Sequence, residues 1–178
     1  MSWHGVVTLC YLVSSAFYCT YLWTRNRKGS YWGFRTIAIA TALHTLSLAV
    51  FFLRGDQIVG GLDGSLYFFS WFIALVYIVS QTRFKAPILG AFVSPLVFLM
   101  TLPSVILPQG IIEHDPSLRN PWILIHIALV FLGDALFTIA FITGGLYLFE
   151  EKRIKSKRMG SFLKKLPSLT ALDNLNHF

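Results

Sequence analysis

The sequence predicts an all-α membrane protein: a polytopic bundle of five transmembrane helices, with its N-terminus outside and its C-terminal tail in the cytoplasm. Three observations predict it. First, 55% of the 178 residues are hydrophobic and only 13% are charged, with a mean hydropathy of +0.63, whereas a soluble domain carries about 25% charged residues. Second, the apolar residues are gathered into five runs close to the ~20 residues that span a bilayer. Third, lysine and arginine alternate between rich and poor connections along the chain. The net charge of +7 therefore reports topology, and no nucleic-acid partner is expected; the lipid bilayer is the expected surrounding.

The first run covers residues 5–24. No lysine or arginine precedes it and no small-residue cleavage site follows, so it reads as a retained helix rather than a signal peptide. Cys10 and Cys19 both fall inside it. Nine residues of helix separate them by about 14 Å, beyond the ~7 Å limit for bridged Cα atoms, so they are not expected to pair with each other. The second run covers about 36–53, and the third, 65–81, is short and aromatic. The fourth, 87–107, contains Pro95 and Pro103, each of which removes a backbone hydrogen bond and predicts a kink. The fifth, 121–149, starts at Pro121, where the missing N–H costs nothing. Gly144 and Gly145 within it would let another helix approach closely. Trp23, Tyr31, Trp32 and Trp122 stand at run boundaries, as an interfacial aromatic belt requires.

The cations set the orientation. Arg25, Arg27, Lys28 and Arg35 follow the first run, and Arg83 and Lys85 the third. Lys152, Arg153, Lys155, Lys157, Arg158, Lys164 and Lys165 follow the fifth. The intervening connections hold only Arg54 and Arg119. Thirteen cations against two place the first and third loops and the tail inside. The chain thus divides into a five-helix membrane domain, residues 1–150, and a basic cytoplasmic tail, 151–178. In the tail Ser168 caps a short amphipathic segment bearing Leu169, Leu172 and Leu175 on one face.

Chemistry inside a membrane announces itself through ionisable side chains, and three fall inside the runs: His44, His126 and Asp134. His126 lies about 6 Å below the outer boundary set by Trp122. It reads either as an axial haem-iron ligand or as a histidine bonded to a backbone carbonyl within the bundle. His44 lies about 14 Å and Asp134 about 18 Å below the same surface. That matching depth predicts an intramembrane polar pair, serving as a proton relay or ligand orienter, or else as a packing contact. His4 is terminal and reads as uninformative. The sequence holds no Cys-x-x-Cys, phosphate-binding glycine loop or Ser-His-Asp spacing, so a hydrolase or nucleotide enzyme is not expected.

The segments Pro121-Trp122-Ile123-Leu124-Ile125-His126-Ile127 and Gly145-Leu146-Tyr147-Leu148-Phe149-Glu150-Glu151-Lys152, together with Leu166-Pro167-Ser168-Leu169, Leu172-Asp173, Ala42-Leu43-His44-Thr45 and Ser70-Trp71, resemble the N-terminal part of the cytochrome c assembly protein family. That family includes CcsA/ResC haem-handling proteins and HemX-like membrane proteins. The resemblance implies an assembly factor of the inner membrane, rather than an enzyme, that binds or delivers haem during cytochrome c biogenesis. It implies His126 as the outer haem-iron ligand and His44 as a second cofactor-binding candidate, matching a histidine of the HemX-like branch. It also implies other cytochrome c assembly proteins as partners. The family's tryptophan-rich segment ending in Trp-Asp-Pro, with its second ligand histidine, is absent before Phe178. The expectation is therefore a truncated member, one half of a split protein whose partner carries that segment, or a member that has lost it. The alternatives are a HemX-like regulator of haem synthesis, acting through its basic tail, and a small transporter or packing subunit.

Overall fold

A computed structural model describes residues 3–24, 26–55, 59, 61–107 and 120–155. It contains α1 (Trp3–Thr24), α2 (Arg27–Arg54), α3 (Leu62–Phe84), α4 (Pro87–Thr101), α5 (Pro103–Ile106) and α6 (Pro121–Lys155), and no strand among the described residues. Five helices are long and apolar enough to cross a membrane, with α4 and α5 together forming one span. The amphipathic segment predicted around Leu172 lies outside the described residues.

The helix ends differ from the apolar runs in instructive ways. α2 begins nine residues before its apolar run because Asn26 caps it, its side chain accepting the Lys28 N–H at 3.0 Å. Arg27, Lys28 and Arg35 thus ride on a helix rather than in a loop, and the Arg35 guanidinium lies over the Tyr31 ring at 4.6 Å. α3 extends beyond its predicted limits at both ends and stops where Lys85 turns left-handed, at φ 51°. In the fourth span the interruption falls at Leu102, just before Pro103, whereas α4 runs on through Pro95. The Thr101 carbonyl exposed at this break accepts the Ser104 hydroxyl at 2.7 Å and the Thr8 hydroxyl of α1 at 3.4 Å. Side chains thus satisfy the freed backbone groups, as a spanning segment demands. α6 extends past Phe149 to Lys155, so the membrane domain and the start of the tail share one helix.

α1 is the hub, packing along α2 and α4, while α3 bridges α4 to α6. Its buried positions Val7, Tyr11, Ser14, Tyr18 and Tyr21 recur every three to four residues. Close approach depends on small residues: the Ser14 hydroxyl donates to the Gly33 carbonyl at 3.0 Å. Gly90 presses against a Tyr18–Tyr77 hydroxyl pair joining α1 to α3. Between α2 and α3 the Trp71 indole N–H donates to the Thr45 hydroxyl at 2.8 Å. α6 stands apart. Only 11% of its apolar stretch is buried, against 33–50% for the other four spans.

Candidate functional site

His44 is placed by the register of α2, which turns Ile37, Thr41, His44 and Leu48 inward. The ring is 0% exposed. It sits between Tyr11 of α1, whose hydroxyl is 3.2 Å from Nδ1, and Tyr67 of α3, whose ring centroid is 4.0 Å away. Thr41 gives its hydroxyl proton to the Ile37 carbonyl at 2.8 Å, so toward Tyr11 it accepts. Tyr11 has one proton to give: either to Thr41 Oγ1 at 3.3 Å, with His44 Nδ1–H donating to the Tyr11 oxygen, or to His44 Nδ1 itself at 3.2 Å. The Tyr67 backbone approaches the ring without reaching hydrogen-bond geometry, and Nε2 is buried with no partner among the described residues.

The cluster contains a second histidine that sequence reasoning set aside. His4 packs edge-on to Tyr67, with ring centroids 4.5 Å apart, and stacks on Phe51 at 5.1 Å. Its Nδ1 is likewise buried without a partner. The Tyr67 hydroxyl donates to Ser47 Oγ at 3.3 Å. His4, Tyr67, His44, Tyr11 and Thr41 thus form a continuous polar seam through α1, α2 and α3. The signal was present: His4, Tyr11 and Tyr18 are spaced by seven, which puts them on one face of α1.

His126 and Asp134 are both exposed on α6. The predicted pairing of His44 with Asp134 is not formed. α6 packs on α3 and, more lightly, on α4, whereas His44 is enclosed on the α1 side of α3. Depth is one coordinate of three; equal depth on helices that do not touch brings nothing together. The Asp134 backbone carbonyl accepts the Thr138 hydroxyl at 2.8 Å, but its carboxyl has no partner among the described residues. Eight residues on a helix return close to the same side, so His126, Val130, Asp134, Phe137 and Phe141 share one outward face. Beside it, Gly133, Gly144 and Gly145 face open space: a methyl added at any of them would meet no described atom within 4 Å. No helix of the described chain uses those glycines for close packing.

The two histidines differ in what they can hold. His126, at the start of α6 beside exposed Trp122 and Val130, offers an accessible imidazole on an apolar face that a flat macrocycle can lie against. His44 has no room for a macrocycle edge between Tyr11 and Tyr67. Among the described residues no group of three or more histidine, cysteine or acidic side chains is arranged to hold a metal ion. Cys10 and Cys19 are both free thiols.

A multi-pass helical membrane protein with one sealed and one outward-facing histidine is the class these features define. The chain belongs to the Cytochrome C assembly protein family, whose sequence model matches residues 59–177. It is 28% identical to Protein HemX of Brevibacillus brevis over 96% of this chain and 63% of that protein. It is 26% identical to Protein HemX of Bacillus subtilis over 92% of this chain and 60% of that one. Cytochrome c biogenesis protein CcsA of Prochlorococcus marinus matches 71% of the chain at 26% identity, over 43% of its own length. The chain thus spans 60–63% of the HemX relatives it matches. No solved structure matches it.

Proposed function

We propose that this chain is a haem-handling component of cytochrome c biogenesis in the inner membrane, with His126 as an axial ligand to haem iron on its outer side. The observation that carries the reading, together with family membership, is the exposure of His126 on a face of α6 that no described residue covers. When bound, haem iron takes a neutral imidazole as axial ligand. The chain's own contribution is to present that imidazole from a capped helix start, where Asn120 accepts the Trp122 N–H at 3.0 Å, beside a wall of Trp122 and Val130. His126 supplies one ligand, so the reading includes a second polypeptide, another assembly protein or the tryptophan-rich half, that completes the site along α6. The unpaired Asp134 carboxyl on the same face supports such a partner, because an acid in hydrocarbon costs about 2.5–3.5 kcal/mol.

The test is a haem spectrum of the chain purified in mild detergent, with and without the co-expressed tryptophan-rich half. A Soret band that His126→Ala abolishes and His44→Leu keeps supports the assignment. A band unchanged in His126→Ala removes it.

A second reading is favoured by the span of the relatives: the HemX proteins match 92–96% of the chain, the Prochlorococcus CcsA 71%. In that reading the protein regulates haem synthesis through a cytoplasmic partner bound by its basic tail. Loss of function on deleting residues 156–178, with His126→Ala tolerated, selects it. The transporter alternative loses its polar path, since His44 and Asp134 do not meet.

A further inference from the structure

Two cavities open on the same flank of the α1–α2 pair. The one nearer the N-terminus of α1, about 110 Å³, lies between Trp3 and the last three turns of α2, including Val50 and Arg54. The other, about 210 Å³, lies between Cys10 and Val13 of α1 and Ile39 of α2. Ile39, Leu46, Val50 and Arg54 are spaced 7, 4 and 4 along α2, which keeps them on one flank. The two cavities are therefore segments of one groove, running about 22 Å from Ile39 to Arg54, which exceeds one leaflet of a ~30 Å hydrocarbon core.

The groove's walls are hydrocarbon although Thr36 and Ser47 stand in them. The Thr36 hydroxyl donates back to the Trp32 carbonyl at 2.8 Å, and Ser47 Oγ is turned to the Tyr67 hydroxyl. Its mouth is different. Arg54 is exposed and has no ion-pair or hydrogen-bond partner among the described residues, and beside it the Trp3 indole is 56% exposed. Among the described residues no acidic side chain lines the groove to receive the ammonium of a zwitterionic headgroup.

We propose that this groove binds one anionic phospholipid, with its phosphate on Arg54 beside Trp3 and one acyl chain laid along Val50, Leu46 and Ile39. The charge count places this leaflet outside. The site is independent of haem and of His126. An aliphatic channel of leaflet depth ended by an exposed guanidinium and an interfacial indole matches the two halves of that ligand.

The full chain, purified in detergent, is titrated with phosphatidylglycerol and with phosphatidylcholine of identical acyl chains, and retained lipid is read by native mass spectrometry. The wild type should retain one phosphatidylglycerol about fivefold more strongly than phosphatidylcholine. Arg54→Gln should erase that preference, and Arg54→Lys should keep most of it. Ile39→Trp should weaken retention of both lipids, whereas Phe92→Trp, on an exposed face of α4, should not. All of these positions are exposed, so the fold does not depend on them. Equal retention of the two lipids by the wild type, an unchanged preference in Arg54→Gln, or full retention in Ile39→Trp overturns the proposal.

Discussion

Replacing Gly90 by alanine should unfold this bundle more readily than any other single-methyl addition among its described glycines. Gly90 of α4 faces the Tyr18–Tyr77 hydroxyl pair, and both rings are 0% exposed. A Cβ at Gly90 would lie 2.6 Å from Tyr18 Cε1 and closer still to Tyr18 Cζ and the Tyr77 hydroxyl. Carbon atoms rest about 3.5–4.0 Å apart, so the methyl lacks about 1 Å of space. Tyr18 cannot swing away toward α2, because its ring already lies 2.9 Å from where a Cβ on Gly33 would stand. Either α4 moves off α1 and α3, at the ~1–3 kcal/mol typical of overpacking, or the hydroxyl pair also breaks, leaving buried oxygens unsatisfied for a further ~1–3 kcal/mol. The expected loss is therefore about 1–6 kcal/mol. The assay is unfolding in mixed micelles of rising denaturing detergent, followed by helical circular dichroism. Gly145→Ala is the matched control: nothing lies within 4 Å of its added methyl, and helix propensity favours alanine by up to about 1 kcal/mol. If Gly90→Ala unfolds at the same detergent fraction as Gly145→Ala, the close-packing argument is wrong.

Three further outcomes follow. Tyr11→Phe leaves the buried His44 Nδ1 without its hydroxyl partner and should cost about 1–3 kcal/mol in the same assay; an unchanged unfolding point would show that this contact does not tie α1 to α2. Asp134→Leu should leave the stability of the isolated chain unchanged or raised, because the carboxyl has no partner among the described residues; a loss of the ~3–5 kcal/mol expected on breaking a buried ion pair would restore the pairing with His44. A fluorescent reporter active only in the cytoplasm should glow when fused after Phe178, and a phosphatase active only outside should be silent there; the reverse would invert the topology read from the cations.

What was legible in the sequence was whatever depends on position along the membrane normal. Run length identified five spans, and proline placed an interruption in the fourth, although it fell at Pro103 and not Pro95. What was not legible was azimuth. In a lipid-surrounded bundle helices are apolar all round, so hydropathy does not say which side of a helix meets which neighbour. His44 and Asp134 were therefore matched by depth and turned out to face different surroundings. The same blindness hid the core. Tyr11, Tyr18, Tyr67 and Tyr77 read as boundary residues on any hydropathy scale, yet all are buried, each hydroxyl matched with a polar group on another helix. The start of α2 was missed for a third reason: Arg27, Lys28 and Arg35 look like loop until Asn26 is recognised as a cap.

The two intramembrane histidines sit in environments that call for opposite explanations. Around His44 the chain closes on itself: α1, α2 and α3 supply the hydroxyl partner of Nδ1, the tilted Tyr67 ring and the seal. Around α6 the described helices leave open what a lipid face does not tolerate. Hydrocarbon is a good neighbour for Phe137 and Phe141, 80% and 79% exposed, but not for the Asp134 carboxyl between them and His126. α6 contributes its inner side to the bundle through Ala135, Ile139 and Leu146, all buried, so its outward side is free without cost to the fold. The proposed second polypeptide, lying along that side, would remove Asp134 from lipid, use the open glycines for close approach and stand within reach of His126. No arrangement of the described helices does all three, and this is the ground on which His126, rather than the enclosed His44, is the histidine proposed as ligand.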